Sequence, residues 1–591
     1  MKKFKLRSKE WFDNPNDPGL TALYLERYLN YGLKKEDLQS GKPIIGIAQS
    51  GSDLSPCNRH FLSLSKTIKD GIREAGGVPM EFPTHPIQET GKRPTAALDR
   101  NLSYLSLVEV LYGYPIDGVI LTTGCDKTTP AALMAAATVN IPSIVLSGGP
   151  MLDGNYKGKK VGSGTIIWEA RKLHAKGEIN YDEFMDMAAA SAPSIGHCNT
   201  MGTASSMNSI AEALGMSLPG GAIIPAPYKE RKHISFKTGK RIVEMVFENL
   251  TPAKIMTKEA FENAVFVASA IGASSNCPPH LTAIARHMGV DFNLEQWEKL
   301  GHNIPLLANC QPAGEHLMEG FFKAGGVPAI MQELIKKNKL NTKVLTVTGK
   351  TLGENLNIKL DVNRDVIKEY NNPLSQNAGF IVMKSNFFSS AVMKTSVISS
   401  EFRKRYLSNK DSLNVFEVKA VVFEGPEDYH SRINDKNLDV DENSILIIRG
   451  CGPVGYPGSA EVVNMQPPDN LLKKGINTLP TLGDGRQSGT SESPSILNVS
   501  PESAIGGDLL IIETGDKIKI DLNNSRIDLL ISEQEFKKRK KNIKLPILNN
   551  QTPWQEISRK MVGQLETGSC LETETIFLDI TNTKGMPRHS H

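Results

Sequence analysis

The sequence predicts an α/β domain with a largely parallel sheet, followed by a β-rich, barrel-like domain. In residues 1–375 apolar strands alternate with helical segments, and such a βαβ rhythm is typical of a parallel sheet. After about residue 375 short β-type runs replace the alternation, with few helical signals among them. The segment 371–379 between the two patterns is polar and contains Pro and Gly, as linkers do. We therefore expect a first domain over 1–375 and a second over 376–591.

The elements of the first domain follow from local signals. Four strands are predicted from short apolar runs, at 42–50, 78–83, 117–123 and 142–150. The segment 59–77 has helical spacing and ends in two glycines, which commonly stop a helix. Another helix is predicted over 129–139, with Thr129 as its N-cap and Pro130 at the first helical position. Strands and helices thus follow one another as a parallel sheet requires.

The second domain is predicted from short runs rich in Ile, Val and Leu. They lie between residues 379 and 532 and read GFIVMK, KAVVFEG, SILIIRG, LLIIETGDKIKIDL and RIDLLIS. Within the fourth run, Thr514, Gly515 and Asp516 are expected to form a hairpin turn between two strands. Helical spacing returns at 533–541. Strands therefore dominate the predicted second domain.

Composition excludes several functional classes. The chain has 591 residues, 39% hydrophobic and 22% charged, so a large globular core is expected rather than a disordered chain. Its 68 basic and 64 acidic residues leave a net charge of +4, too small to indicate nucleic acid as the main partner. No apolar run approaches the length of a membrane span and the charged N-terminal stretch has no apolar core, so neither a membrane span nor a secretory signal is expected. Seven cysteines, a sparse and odd number, indicate a reducing cytoplasmic setting.

Three of the cysteines share one sequence setting. Cys57, Cys125 and Cys198 each stand in a loop directly before a predicted helix. Open α/β sheets bind ligands beyond the carboxyl ends of their strands, and a helix N-terminus stabilises a thiolate. Free cysteines are also commonly small buried core residues, and the spacing alone indicates neither a zinc ribbon nor an iron–sulfur site.

The neighbours of Cys125 are more informative. Asp126 and Lys127 follow it in the segment TTGCDKTTPA. A hard carboxylate beside a soft thiolate indicates two metals of different type, because carboxylate oxygen suits Mg²⁺ and thiolate sulfur suits iron.

Long motifs then indicate a family. The chain resembles the dihydroxy-acid and sugar-acid dehydratases from about residue 10 to the last residue. The motifs that carry the resemblance are GCDKTTPA, GHCNTMGTASSM, PMLDG, AFENA, VTGKTLGEN, PGSAEVVNM and DGRQSGTSESPSILNVSPESAIGG. The stretches WFDNP, TALYLERYLNYG, HPIQETGKRPTAALDRNLSYL and TPWQEI resemble the pentonate branch. Many relatives carry S-D-A-R-M-S-G-T where this chain has G-D-G-R-Q-S-G-T, which also favours that branch.

The resemblance implies a dehydratase that converts a sugar acid into a 2-keto-3-deoxy acid and water. For the pentonate branch the expected substrate is D-xylonate, with D-gluconate, L-arabinonate or another 2,3-dihydroxy acid as open alternatives. Family members are homodimers or homotetramers, so a homo-oligomer is expected here. The tail, residues 588–591, is expected to dock near the substrate.

The cofactors are also implied by the resemblance. Cys57, Cys125 and Cys198 match the cysteines that hold a [2Fe–2S] cluster in the sugar-acid branch. An all-cysteine cluster has four ligands, so three ligands leave one iron position open, as a Lewis-acid site needs.

Four further residues match the family's Mg²⁺ ligands, namely Glu89, Asp126, Lys127 and Glu461. An ammonium group cannot coordinate a metal, and the family resolves this by carbamylating the lysine. Taken alone, Lys127 indicates an ordinary cation paired with Asp126 or with a phosphate.

The segment GDGRQSGTSES supplies the remaining matches. Ser488 matches the family's catalytic base, which acts as an alkoxide, and Thr490 matches a neighbouring active-site hydroxyl. Local composition alone indicates a Gly/Ser-rich turn. The segment lacks the spacing of a Walker A phosphate loop.

Two other classes of protein are compatible with a βαβ rhythm. A nicotinamide-dependent oxidoreductase needs G-x-G-x-x-G between a strand and a helix, with an acidic residue about 20 positions later, and we find no segment that meets these conditions together. A non-catalytic binding protein is disfavoured because the chain retains all the matched ligands and Ser488.

Overall fold

The computed structural model describes residues 5–462 and 464–589. Its N-terminal part contains four strands, β1 (Ile44–Gln49), β2 (Val78–Pro83), β3 (Gly118–Thr123) and β4 (Ser143–Ser147). They form one parallel sheet in the order β2-β1-β3-β4. Strands β1, β3 and β4 are buried throughout because helices pack against the sheet. The predicted parallel sheet is confirmed.

Helices make up most of the remaining N-terminal part, and the alternation with strands is shorter than predicted. A small hairpin, β5 (Gly154–Tyr156) with β6 (Lys159–Val161), follows the sheet, and residues 165–356 contain only helices and loops. The helices are α1 (Lys9–Phe12), α2 (Pro18–Leu29), α3 (Lys35–Gln39), α4 (Phe61–Glu74), α5 (Ala97–Gly113), α6 (Thr128–Val139), α7 (Thr165–Lys176), α8 (Tyr181–Ala190), α9 (Thr203–Ala213), α10 (Lys229–Glu248), α11 (Pro252–Ile255), α12 (Lys258–Ala270), α13 (Cys277–Met288), α14 (Leu294–Gly301), α15 (Met318–Lys323), α16 (Gly326–Ile335) and α17 (Leu352–Leu356).

Helix α6 begins one residue earlier than predicted, and Thr129 is not its N-cap. Lys127 occupies the N-cap position, without a side-chain cap. The Thr128 hydroxyl instead closes the preceding turn, because it donates to Cys125 O at 2.6 Å and accepts from Gly124 N at 3.1 Å. This turn holds the residues after β3 in a fixed position.

The C-terminal part contains a closed eight-stranded barrel, which confirms the β-rich, barrel-like prediction. Its strands are β7 (Phe380–Ser385), β8 (Ser390–Lys394), β9 (Val415–Phe423), β10 (Ser444–Ile448), β12 (Thr481–Gly483), β14 (Ser495–Ser500), β15 (Lys517–Asp521) and β16 (Arg526–Leu529). A separate ribbon of two short parallel strands, β11 (Glu461–Val462) and β13 (Arg486–Gln487), lies outside the barrel. The helices here are α18 (Ser400–Phe402), α19 (Pro426–Arg432), α20 (Asp469–Lys473), α21 (Glu533–Lys541), α22 (Pro553–Met561) and α23 (Ile580–Thr583).

Two predictions within 509–522 are wrong. Residues Asp508–Ile511 form a 3₁₀ turn rather than a strand, because Arg449 Nη1 hydrogen-bonds the carbonyls of Leu509, Leu510 and Ile512 and removes them from any ladder. The segment 514–516 only leads into β15, and the hairpin turn joins β15 to β16 instead.

Two sequence expectations outside the barrel can also be compared with the structure. The segment 450–455 has the bare spacing G-x-G-x-x-G after β10, but a loop rather than a helix follows it, so it does not form a dinucleotide site. Within the described residues, the helices are too short or too polar to cross a bilayer.

The tail prediction includes Ser590 and His591, which lie outside the described residues.

Candidate active site

The carboxyl ends of the parallel strands bring the predicted ligand loops to one edge of the sheet. Cys57 follows β1, Glu89 follows β2, and Cys125 follows β3. Because these strands are neighbours, their loops are adjacent. Cys198 joins them from the loop before α9, where its neighbour His197 pairs with a residue just beyond β4.

The three thiols lie in one polar environment. The Cys57 and Cys125 thiols influence each other's pKa, and Cys125 Sγ donates a hydrogen bond to Asp126 Oδ1 at 3.3 Å. Gln88 Nε2 donates to Cys57 Sγ at 3.2 Å, and Ser163 Oγ donates to Cys198 Sγ at 3.3 Å. Sulfur from three different loops therefore converges at one place.

Burial and mutual contact set the acidity of these thiols. The interaction between the two thiols lowers the pKa of Cys57 and raises that of Cys125. Burial, together with the nearby charge of Cys57, raises the pKa of Cys198 to about 12. At Cys125 and Cys198, burial and neighbouring acidic groups therefore oppose the gain that a helix N-terminus gives a thiolate. A cation bound by the three sulfurs would reverse those effects.

Lys127 lies at the centre of the predicted Mg²⁺ ligands. Its Nζ is 2.5 Å from Glu89 Oε2, 3.0 Å from Asp126 Oδ2 and 3.3 Å from Glu461 Oε1. One oxygen of each carboxylate lies within 4.8 Å of the other two, and Lys127 is fully buried. Three carboxylate oxygens at this spacing suit a small divalent cation as well as an ammonium group.

The carboxylates differ in how strongly they hold a proton. Burial, followed by the charge of Asp126, raises the pKa of Glu89, and burial raises that of Glu461 well above its usual range. Burial also acts on Asp126, but Lys127 and a hydrogen bond with Glu461 outweigh it and lower the pKa. Burial and Arg486 oppose the charge of Lys127, yet the three carboxylates raise its pKa. The cluster therefore favours a positive charge at its centre.

Glu461 reaches this cluster from the C-terminal part of the chain. It lies on β11, directly paired with Arg486 of β13. Its Oε1 accepts hydrogen bonds from Asn276 Nδ2 at 2.5 Å and from Thr203 Oγ1 at 3.3 Å. Asn276 Nδ2 also contacts Gln487 O at 3.1 Å. Asn276, the residue before α13, thus attaches both ribbon strands to the N-terminal part.

Ser488 and Thr490 follow the ribbon directly and contact each other. Their hydroxyl oxygens are 2.8 Å apart, and Thr490 N–H donates to Ser488 Oγ at 3.3 Å. Ser488 N–H donates to Asn464 Oδ1 at 3.2 Å. A side chain at Gly489 would place its Cβ 2.6 Å from Ser274 Oγ, so the turn needs glycine to approach the N-terminal part.

The two hydroxyls lie between the two groups of predicted ligands. On one side, the backbone at Gly489 approaches Thr203, whose hydroxyl contacts Glu461. On the other side, the turn before α7 contacts Thr490 through Gly164 and Cys198 through Ser163. The structure thus brings all nine predicted site residues to one region.

Profiles of one protein family match most of the chain. The profile for the dihydroxy-acid/6-phosphogluconate dehydratase N-terminal domain matches residues 42–355, and the C-terminal profile matches 365–569. The chain belongs to the dihydroxy-acid/6-phosphogluconate dehydratase family. The predicted family is confirmed, and the protein is a hydro-lyase.

Relatives of this dehydratase act on several hydroxy acids, according to their names. D-xylonate dehydratase of Caulobacter vibrioides is 59% identical over 587 residues, which are 99% of this chain and 98% of the relative. L-arabinonate dehydratase of Rhizobium leguminosarum is 43% identical over 90% of each chain. Dihydroxy-acid dehydratase of Clostridium novyi is 37% identical over 92% of this chain and 96% of its own.

The sequence analysis did not predict some residues of the dehydratase site. Gln88 adjoins Glu89, and Thr203 shares a motif with Cys198, so proximity to a matched ligand was an available signal. Asn276 and Trp168 have no such signal. Trp168 Nε1 nevertheless donates to the Thr490 hydroxyl from a distant helix.

Proposed function

We propose that this dehydratase converts D-xylonate into 2-dehydro-3-deoxy-D-pentonate and water. The observation that carries the proposal is the convergence of three thiols, three carboxylates around Lys127 and the Ser488–Thr490 pair. A relative named D-xylonate dehydratase, 59% identical over 99% of the chain, favours this substrate among sugar acids.

The converging residues fit the two cofactors that the resemblance implies. Three thiols from separate loops offer sulfur ligands for a [2Fe–2S] cluster, while Glu89, Asp126 and Glu461 offer oxygen ligands for Mg²⁺. Once bound, these groups would act as Lewis acids that stabilise the leaving hydroxide and the charge developing beside the substrate carboxylate.

Lys127 controls access to the Mg²⁺ ligands. As an ammonium it occupies the space between the three carboxylates and would repel a divalent cation. The ammonium first loses a proton; reaction of the resulting neutral amine with CO₂ then forms a carbamate N–C bond, releases a second proton and leaves an anionic oxygen donor. We therefore propose a carbamylated Lys127 as the fourth ligand.

Ser488 is the proposed base. Its Oγ faces the hydroxyl and the N–H of Thr490, and both can donate to an alkoxide. The alkoxide takes the C2 proton, the C–H electron pair forms the C2–C3 double bond, and hydroxide leaves C3. That proton and hydroxide together make the released water. The enol then takes a proton at C3, its C2 hydroxyl loses a proton to become the carbonyl, and the 2-keto-3-deoxy acid results.

A substrate panel tests the proposed function. Holoprotein purified without oxygen is supplied with Mg²⁺ and with D-xylonate, L-arabinonate or D-gluconate, and the 2-keto-3-deoxy product is measured. We expect kcat/KM to be highest for D-xylonate by at least about tenfold, because a misplaced hydroxyl leaves buried polar groups unpaired. A higher kcat/KM for another acid would make that acid the preferred substrate in place of D-xylonate. The absence of product from every acid would refute the proposal.

The carbamate has its own test. Protein equilibrated with ¹³C-labelled bicarbonate should show a carbamate carbon resonance, and Lys127→Arg protein should not. Bicarbonate-equilibrated protein should bind Mg²⁺ at least about tenfold more tightly than protein kept free of CO₂, because it no longer places an ammonium beside the metal. Equal affinity in both states, or a signal that survives in Lys127→Arg, would contradict this role.

A further inference from the structure

The indole of Trp168 is linked to the proposed base through one hydroxyl. Trp168 lies on α7, and its Nε1 donates to Thr490 Oγ1 at 2.9 Å. Thr490 Oγ1 lies in turn 2.8 Å from Ser488 Oγ. The three groups form a short chain of hydrogen bonds that ends on the base.

The chemistry of the three groups determines the direction of this chain. An indole N–H can only donate, so Thr490 Oγ1 accepts from Trp168. A hydroxyl that accepts one hydrogen bond becomes a stronger donor through its own proton. An alkoxide at Ser488 can only accept. With Ser488 deprotonated, donation therefore runs from Trp168 to Thr490 to Ser488.

The surroundings of Trp168 hold its ring in place. The Arg171 guanidinium lies over the indole, 4.8 Å from the ring centre. Gln466 Nε2 donates to the Trp168 carbonyl at 3.3 Å. At the start of α7, Gly164 has a φ of +84° and touches Thr490, since a Cβ there would lie 2.6 Å from Thr490 Oγ1. Helix α7 and the Ser488 loop are therefore in close contact.

We propose that Trp168 is a positioning residue for Ser488. Its N–H holds Thr490 as a hydrogen-bond donor to Ser488 Oγ and so favours the alkoxide. The proposal rests on the proposed role of Ser488 as base. It places the contribution of Trp168 in the proton-transfer step rather than in substrate affinity.

Kinetics of the Trp168→Phe holoprotein test this role, with the acid that is turned over best. We expect kcat to fall about fivefold to tenfold, the worth of one hydrogen bond, while KM changes less than twofold. The deuterium isotope effect with C2-deuterated substrate should increase, because proton abstraction becomes more rate-limiting. Adding Trp168→Phe to Thr490→Val should cause little further loss, because Trp168 acts through Thr490.

The chain offers a matched control in Trp554. Its Nε1 also donates one hydrogen bond, to Leu98 O at 2.9 Å, so Trp554→Phe makes the same chemical change elsewhere. That variant should keep kcat within about twofold of the parent, since it removes only a neutral hydrogen bond outside the proposed machinery. If Trp168→Phe does not accumulate as folded holoprotein, 3-benzothienylalanine at position 168 removes the N–H within a ring of the same shape.

The outcomes separate this inference from the proposed function. A loss that is additive with Thr490→Val, or that appears only in KM, would overturn the role of Trp168. So would an unchanged kcat or an unchanged isotope effect. Substantial turnover by Ser488→Ala would instead refute the base assignment on which the inference rests.

Discussion

Replacing Ser488 by alanine should lower kcat about 10³-fold, within the range that a general base contributes. The substitution removes the only atom that is proposed to accept the C2 proton, while the thiols and carboxylates remain. Iron content, visible absorbance and Mg²⁺ binding should therefore stay at parent levels. The measurement is kcat for the anaerobic holoprotein, with absorbance and metal content determined on the same sample.

The same loop provides the control for Ser488. Ser493→Ala removes a hydroxyl five residues away that has no partner among the described residues, so kcat should stay within about twofold. Ser488→Ala protein that keeps a tenth or more of parent kcat would remove Ser488 from the role of base.

Replacing Cys125 by serine should abolish both the cluster and the activity. Cys125 is 3% exposed and lowers the pKa of the neighbouring Cys57 thiol, so its thiol is central to the proposed sulfur ligands. A serine oxygen is a poor ligand for an iron–sulfur cluster. Anaerobically purified variant should lack the red-brown absorbance and most of the iron. Its kcat should fall at least about 100-fold, because Lewis-acid stabilisation of the leaving group is worth several kcal/mol.

Another buried cysteine serves as the control for Cys125. Cys451 is fully buried in a hydrophobic cluster, and the one hydrogen bond of its Sγ among the described residues goes to the Arg449 carbonyl at 3.6 Å. Cys451→Ala should keep its iron and absorbance even if its thermal stability decreases. Full absorbance and iron in Cys125→Ser, or their loss in Cys451→Ala, would contradict the assignment of cluster ligands.

Local signals predicted the strands and helices well where no side chain competes for their backbone hydrogen bonds. The apolar runs behind β1, β3 and β4 form buried strands, and Gly76 takes a positive φ after α4, as the predicted helix stop requires. The predictions fail where a distant or competing group captures backbone atoms. Arg449 donates to the carbonyls of Leu509, Leu510 and Ile512, and Thr128 rather than Thr129 closes the turn before α6.

The sequence by itself determined the family and the set of residues to examine, because long motifs preserve chemical groups together with their local spacing. It also determined the parallel sheet, whose strands end beside those groups. Only the tertiary structure decided that Lys127 sits between three carboxylates, one of them 334 residues away, and that Trp168 contacts Thr490 across 322 residues. Hydrogen bonds and burial between distant segments depend on how the sheet, α7 and the ribbon pack together. No local pattern in the sequence encodes that packing.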